Sequence, residues 1–426
     1  MADRARPQAR PVTGRSPAPV LMSGAPPFLS DSAVTLANWQ DPPFNRWAFQ
    51  HVRELIPSAR IARRPRHSGP VRQLPRNERD LGRIAFSFDD RELTVAEMLA
   101  STWTDGFLVL HRGRVVTEQY FNGMAQDTPH LLMSVSKSVT SAVAGALAGR
   151  GVLDVSAEVT RIVPELASTS FAGATVQHLL DMRAGTRFNE DYDDLTADVR
   201  TYERVYLWRP PSGADESSRP AVDNALGYFA TLENDGQHGG PFRYRSILTD
   251  VLAWVIERAA GQRLHELISR ELWRPMGAEF DAEITVDGRG NPMADGGISA
   301  TLRDIARFGQ LYLRRGRAGR QQVVPAWWVD DTVRGAPDGA RAFTAGDNSP
   351  GYPAGSHYRN CWWVPDPALP FFYASGINGQ GVFVHVPSQT VIAKLSTWPV
   401  AWSDELYGQT EAGVLSIAEA LAAGRI

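Results

Sequence analysis

Ser134 and Lys137 stand three residues apart in the stretch Leu132-Met133-Ser134-Val135-Ser136-Lys137-Ser138-Val139-Thr140. On a helix that spacing brings both side chains to one face. A serine hydroxyl is a weak nucleophile unless a base stands beside it. An amine can be that base when burial or neighbouring cations lower its pKa. Ser-x-x-Lys is a pattern of serine acyl-transfer enzymes, although a four-residue pattern also recurs by chance. Lysine usage sharpens it: of 44 basic residues only Lys137 and Lys394 are lysine, and the other 42 are arginine. Arginine cannot give up its proton at working pH and lysine can, so a lysine kept inside this pattern points to a titratable amine. The bland alternative is a surface lysine on an ordinary helix. Against it, Val139, Ala142, Val143, Ala144, Ala146 and Leu147 leave little polar face, which predicts a buried helix running to Gly151.

Such a pair needs a second proton-transfer group and an oxyanion hole. Tyr244-Arg245-Ser246 lies between a turn at Gly239 and Gly240 and the start of a helix, a place from which a phenol can point into a cleft. Gly376-Ile377-Asn378-Gly379-Gln380-Gly381 runs into a β-rich segment, where glycines let a substrate approach the backbone. Taken singly, a tyrosine before a helix is more often packing, and glycines before a strand are usually a turn.

In chain order, Ser-x-x-Lys, Tyr-x-Ser and a Gly-bounded strand start resemble the three motifs of serine β-lactamases and penicillin-recognising enzymes. Leu131-Leu132-Met133-Ser134-Val135-Ser136-Lys137-Ser138, Asn189-Glu190-Asp191-Tyr192, Thr249-Asp250-Val251-Leu252-Ala253-Trp254, Gly376-Ile377-Asn378-Gly379-Gln380 and Ala393-Lys394-Leu395-Ser396-Thr397-Trp398-Pro399 are similar to the 6-aminohexanoate-dimer (nylon-oligomer) hydrolases and their carboxylesterase relatives. Asn45-Arg46-Trp47-Ala48-Phe49 carries the resemblance back to about residue 35. It implies a β-lactamase-like α/β fold of the class C or DD-peptidase type, an antiparallel sheet flanked by helices with an inserted, mostly helical domain. It also implies that Ser134 attacks the carbonyl, Lys137 takes its proton and Tyr244 relays protons. The oxyanion would sit between the backbone N–H groups of Ser134 and Ile377. Tyr192 would hydrogen-bond the leaving nitrogen, and Glu203 would hold the ammonium end of an ω-amino acid oligomer, its alternative being a solvated loop carboxylate. Ser246, Asn378 and Gly379 would line the substrate. Four departures bear on the substrate. Ser246 replaces the β-lactamase Asn, no Lys-Thr-Gly is present, Asn378 stands where the nylon-oligomer hydrolases carry His, and Asp295 where they can carry Asn.

The positioning elements are also readable. Phe107-Leu108-Val109-Leu110 and Arg114 to Tyr120 flank a turn at His111-Arg112-Gly113 and predict a hairpin. The text from Gly151 to about 280 is helical or irregular, with a helix opening after Thr175 and another over Ile247 to Ala260 stopped by Gly261. Residues 60 to 80 and 209 to 222 read as loops. The arginines Arg60, Arg63, Arg64 and Arg66 form a basic cluster, more often solvated than anion-binding. A β stretch starts at 283 to 286, and Thr301 caps an amphipathic helix to Arg314. Strands over Cys361–Val364, Phe371–Ala374, Gly381–Val386 and Val391–Leu395 follow, the last two joined at Pro387-Ser388-Gln389, and a helix runs from about Asp404 to Ala423. The expected division is a disordered tail over 1–34, a sheet domain from 35–165 with 281–426, and a helical domain over 166–280.

The chain has 426 residues, 43% of them hydrophobic and 21% charged, with a net charge of −3. That balance leaves no footprint for nucleic acid or an anionic membrane. Cys361 is the single cysteine, which excludes an intrachain disulfide and argues against a cysteine metal site. No apolar run reaches the roughly 18 residues of a membrane span, and no signal peptide is read, so the expected location is cytoplasmic. The expected function is a serine hydrolase without metal or cofactor, acting through an acyl-enzyme on linear amides of the 6-aminohexanoate-dimer type. A promiscuous carboxylesterase is the alternative, and a non-catalytic penicillin-binding-like sensor or binding module the alternative of another class. The expected partner is a small ester or amide, and a homodimer is left open.

Overall fold

The computed structural model describes residues 20–65, 73–210, 222–346 and 351–426. Its centre is a seven-stranded sheet built from both ends of the chain. Strands β1 (Thr104–His111) and β2 (Arg114–Tyr120) come early, and β3 (His357–Arg359), β4 (Trp362–Asp366), β5 (Phe371–Gly376), β6 (Gln380–His385) and β7 (Thr390–Ser396) come late. The spatial order is β3-β4-β5-β6-β7-β1-β2, and every neighbouring pair is antiparallel. The first and last strands of the chain's two contributions meet at β7 and β1, where Lys394 stands opposite Phe107.

β1 reads as a continuous apolar run because both of its faces are covered. Leu108 and Leu110 point to the larger core, which includes helices α1 (Val135–Gly149), α3 (Ile247–Ala260) and α4 (Leu302–Leu313), while Phe107 and Val109 point to a second core. That second core is closed by Val414, Ile417 and Leu421 of the C-terminal helix α5 (Asp404–Ala422). Between α1 and α3 in sequence lies α2 (Asp198–Val205). Local chemistry fixes the helix ends: Thr175 and Thr301 accept N–H groups at their N-caps, and Gly261 ends α3 in a left-handed conformation.

One expectation is corrected. Residues 60 and 61, expected in a loop, belong to a strand: Ser58–Ile61 pairs with Ala282–Thr285 in a second, four-stranded sheet. The reason is pairing to a distant segment, which local composition does not carry. At the N-terminus, packing begins before residue 35, with Val34 buried and Leu21 and Met22 against the core. Residues 1–19, Arg66 and most of the 209–222 loop fall outside the described residues. Among the described residues no helix is long and apolar enough to cross a membrane, and no cluster of His, Cys, Asp and Glu could hold a metal.

Candidate active site

Helix α1 is buried on every side, and its small polar residues tie it to the loops around it. Ser138 Oγ donates to the Cys361 carbonyl and Ser141 Oγ to the Asn360 carbonyl, both at 2.6 Å. Ser136 Oγ accepts the Ile298 N–H at 3.1 Å. Gly145 leaves room for Trp328, since a Cβ there would lie 2.7 Å from the indole. A helix fixed this way holds its first turn rigidly. Just before that turn Met133 adopts φ 46°, a conformation costly for a side-chain-bearing residue. Ser134 follows at the N-cap position and is the one residue of the Leu131–Leu147 run that is not buried.

Lys137 Nζ donates to Ser134 Oγ and to the Asp295 backbone carbonyl, both at 2.8 Å. It also lies 5.2 Å from the centre of the Tyr244 ring. Tyr244 stacks on Trp363 of β4 at 5.7 Å, and Lys137 and Ser134 both favour the ionised form of its phenol. Serine and tyrosine therefore meet on one wall of a cavity of about 820 Å³, whose lining includes Ser134, Tyr192, Tyr244, Trp363, Gly376 and Ile377, with Lys137 buried behind Ser134. Gly376 matters because of close approach: a Cβ there would lie 2.7 Å from the Leu132 carbonyl oxygen and 2.9 Å from the Ser134 nitrogen. Strand β5 is thereby seated against the serine turn, with Ile377 next in line.

The charge state of Lys137 departs from expectation. Burial pushes the ammonium down, but Tyr244, Asp295 and Glu190 around it outweigh burial and hold it above its ordinary value. Burial likewise raises the Tyr244 phenol, with Lys137 pulling it partly back. The surroundings thus favour the ammonium at Lys137, while burial favours the neutral form at Tyr244.

Other expected residues separate into two groups. Tyr192 does line the cavity, but its hydroxyl donates to Glu190 Oε1 at 2.9 Å and its ring lies under Arg200. Ser246 is buried behind the wall, with its amide donating to Glu190 Oε2 at 2.6 Å and its hydroxyl to Glu190 Oε1. Glu203 is buried and ion-paired with Arg200 at 3.0 Å and with Arg209, so two guanidiniums already neutralise it. The Asn378 side chain donates to the Trp398 and Val400 carbonyls at 3.1 Å each, and Gly379 packs on the Trp398 indole. Sequence reading missed Glu190 and Trp363. Glu190 sat within a quoted motif as one more loop carboxylate, and Trp363 within a run that signalled only a strand.

The Beta-lactamase family model matches residues 94–409. The 6-aminohexanoate-dimer hydrolase of Paenarthrobacter ureafaciens is 38% identical over 412 residues, covering 96% of this chain and 98% of that protein. A solved Bacillus anthracis structure, provisionally named a 6-aminohexanoate-dimer hydrolase, superposes with a TM-score of 0.82 at 26% identity, covering 91% of this chain and 97% of that one. A family VIII carboxylesterase shares the fold, with a TM-score of 0.55 at 16% identity over 76% of this chain and 96% of that one. A β-lactamase-like match over most of the chain, together with a hydrolase relative spanning nearly all of it, makes this protein a serine hydrolase and a member of the beta-lactamase family.

Proposed function

We propose that the protein hydrolyses linear amides of the 6-aminohexanoate-dimer type by acyl transfer to Ser134. The observation that carries this reading is the 2.8 Å contact of Lys137 Nζ with Ser134 Oγ beside Tyr244, on the wall of a cavity large enough for a small linear substrate. Ser134 Oγ attacks the carbonyl carbon and its proton passes to Lys137 after the amine has been freed of its own. Tyr244 relays that proton to the departing nitrogen, because an amine leaves poorly unless protonated. The tetrahedral oxyanion is received by the N–H groups of Ser134 and Ile377. Water then attacks the acyl-enzyme, gives its proton to the same base, and releases the acid and the serine hydroxyl. Since Lys137 rests as an ammonium, the acylating form is the one that has lost a proton, and kcat/KM for a neutral ester should rise with pH. The long similarity to a 6-aminohexanoate-dimer hydrolase supports the amide substrate.

One observation favours a second reading. The Tyr192 hydroxyl is engaged by Glu190, so it is not free to meet a leaving nitrogen in this conformation. An alcohol needs no such help, which is the carboxylesterase reading. Paired kinetics on p-nitrophenyl acetate and the linear 6-aminohexanoate dimer, with Ser134→Ala as control, separate the two. Turnover of both is expected, ester turnover alone would give the carboxylesterase, and turnover of neither would overturn the reading.

A further inference from the structure

The cavity in front of Ser134 contains a cation that the proposed steps leave unused. Arg245, the residue after Tyr244, lines that cavity and is half-buried. Its Nη1 donates to the Tyr244 carbonyl at 3.1 Å, its Nε is buried without a hydrogen-bond partner, and no Asp or Glu among the described residues pairs with it. Neighbouring arginines are treated differently. Arg187, also in the lining, is ion-paired with Glu233 at 2.6 Å, Arg183 with Asp338 at 2.7 Å and Arg243 with Asp235 at 3.2 Å. A guanidinium drawn partly out of water without a counter-ion is costly unless something that visits the site supplies one.

The carboxylates that share the lining do not supply it. Asp235 is taken by Arg243, and Glu190 by Ser246 and Tyr192. Asp198 and Asp404 accept N–H groups of Asn189 and Trp402, each at 2.8 Å, and Asp191 that of Asp193 at 2.9 Å. The cavity is therefore no general sink for anions: Arg245 is a single positive point in a lining that otherwise repels them. Glu203, expected to attract an ammonium, is already matched by Arg200 and Arg209. A lone arginine suits a carboxylate, because its planar donors match the two carboxylate oxygens.

We propose that Arg245 binds a carboxylate carried by the substrate, so that the enzyme selects linear esters and amides with a free acid group over their neutral counterparts. This deepens the reading of Ser134 and Tyr244 given above and rests on it. The acid group belongs either to the acyl part or to the leaving part, and two substrate pairs tell these apart. Mono-p-nitrophenyl adipate against methyl p-nitrophenyl adipate places it on the acyl side. The linear 6-aminohexanoate dimer against its methyl ester places it on the leaving side.

The test is kcat/KM on both pairs for the full chain, Arg245→Met and Arg245→Lys. In one pair the acid is expected to exceed its methyl ester by about tenfold, mostly through KM, with the advantage shrinking in high salt. Arg245→Met should abolish that advantage, and Arg245→Lys, which keeps the charge but not the planar fork, should retain part of it. Damage to the Tyr244 turn would lower acid and ester alike, so the ratio within a pair isolates the charge. No advantage for either acid, or one that survives in Arg245→Met, would overturn the proposal while leaving Ser134 in place. A parent chain inactive on both pairs would overturn the underlying reading and the proposal with it. If Arg245→Met does not fold, competitive inhibition of p-nitrophenyl acetate turnover in the parent chain decides. Hexanoate should bind about tenfold tighter than hexanamide, and equal or weaker binding would overturn the proposal.

Discussion

Lys137 was legible from the sequence because lysine is so scarce in this chain that one retained beside Ser134 stood out. Its charge was not, because the groups that hold it up, Tyr244, Asp295 and Glu190, reach it only through the fold. The ion pairs of Glu203 were hidden for a related reason. Nothing marks Arg200 and Arg209 as its partners until α2 and the loop after it are in place. Two outcomes belong to this scale. Lys137→Arg keeps a cation that cannot yield its proton, so kcat on p-nitrophenyl acetate is expected to fall by about a thousandfold with the fold intact, as judged by circular dichroism. Parent-like turnover would remove Lys137 from the mechanism. Tyr192→Phe removes the hydroxyl that the family resemblance sets beside the leaving nitrogen, and on that assignment should slow the amide dimer about tenfold more than the ester. Equal losses on the two substrates would make Tyr192 a structural residue held by Glu190.

The elements were read more faithfully than the side chains. The β1–β2 and β6–β7 hairpins, the Thr175 and Thr301 caps and the Gly261 stop all formed where turn and cap residues placed them, because those signals are local. The strand at Ser58–Ile61 was missed because its partner is far along the chain, and the Gly376 contact was missed because glycines before a strand look like any turn. That contact yields a test of how β5 positions the serine turn. Gly376→Ala puts a methyl within 3 Å of the Leu132 oxygen and the Ser134 nitrogen, so β5 and the turn must move apart. The expected result is a loss of about a hundredfold in kcat with little change in thermal unfolding. Unchanged kcat would show that this spacing does not govern the reaction.

At the scale of the molecule, the chain's other lysine reports on the sheet that joins its two ends. Lys394 lies fully buried on β7, with Nζ donating to the Thr102 carbonyl at 3.3 Å and to Ser396 Oγ. Burial pushes its ammonium down to about 7, with Asp105 pulling the other way. An unfolded lysine keeps its proton to about 10.4. Between those two values the unfolded chain binds a proton that the folded chain does not, so this group makes stability rise with pH. Urea unfolding at pH values across that window should show a slope approaching about 1.4 kcal/mol per unit that Lys394→Met removes. Equal slopes in the two chains would mean that Lys394 keeps its proton in the folded state. The most direct test of the whole mechanism is covalent: intact-protein and peptide mass spectrometry of the full chain quenched during turnover of a p-nitrophenyl ester. The expected result is a single acyl adduct on the peptide that carries Ser134, absent from Ser134→Ala. Turnover with no adduct, or with an adduct on another residue, would contradict acyl transfer to Ser134.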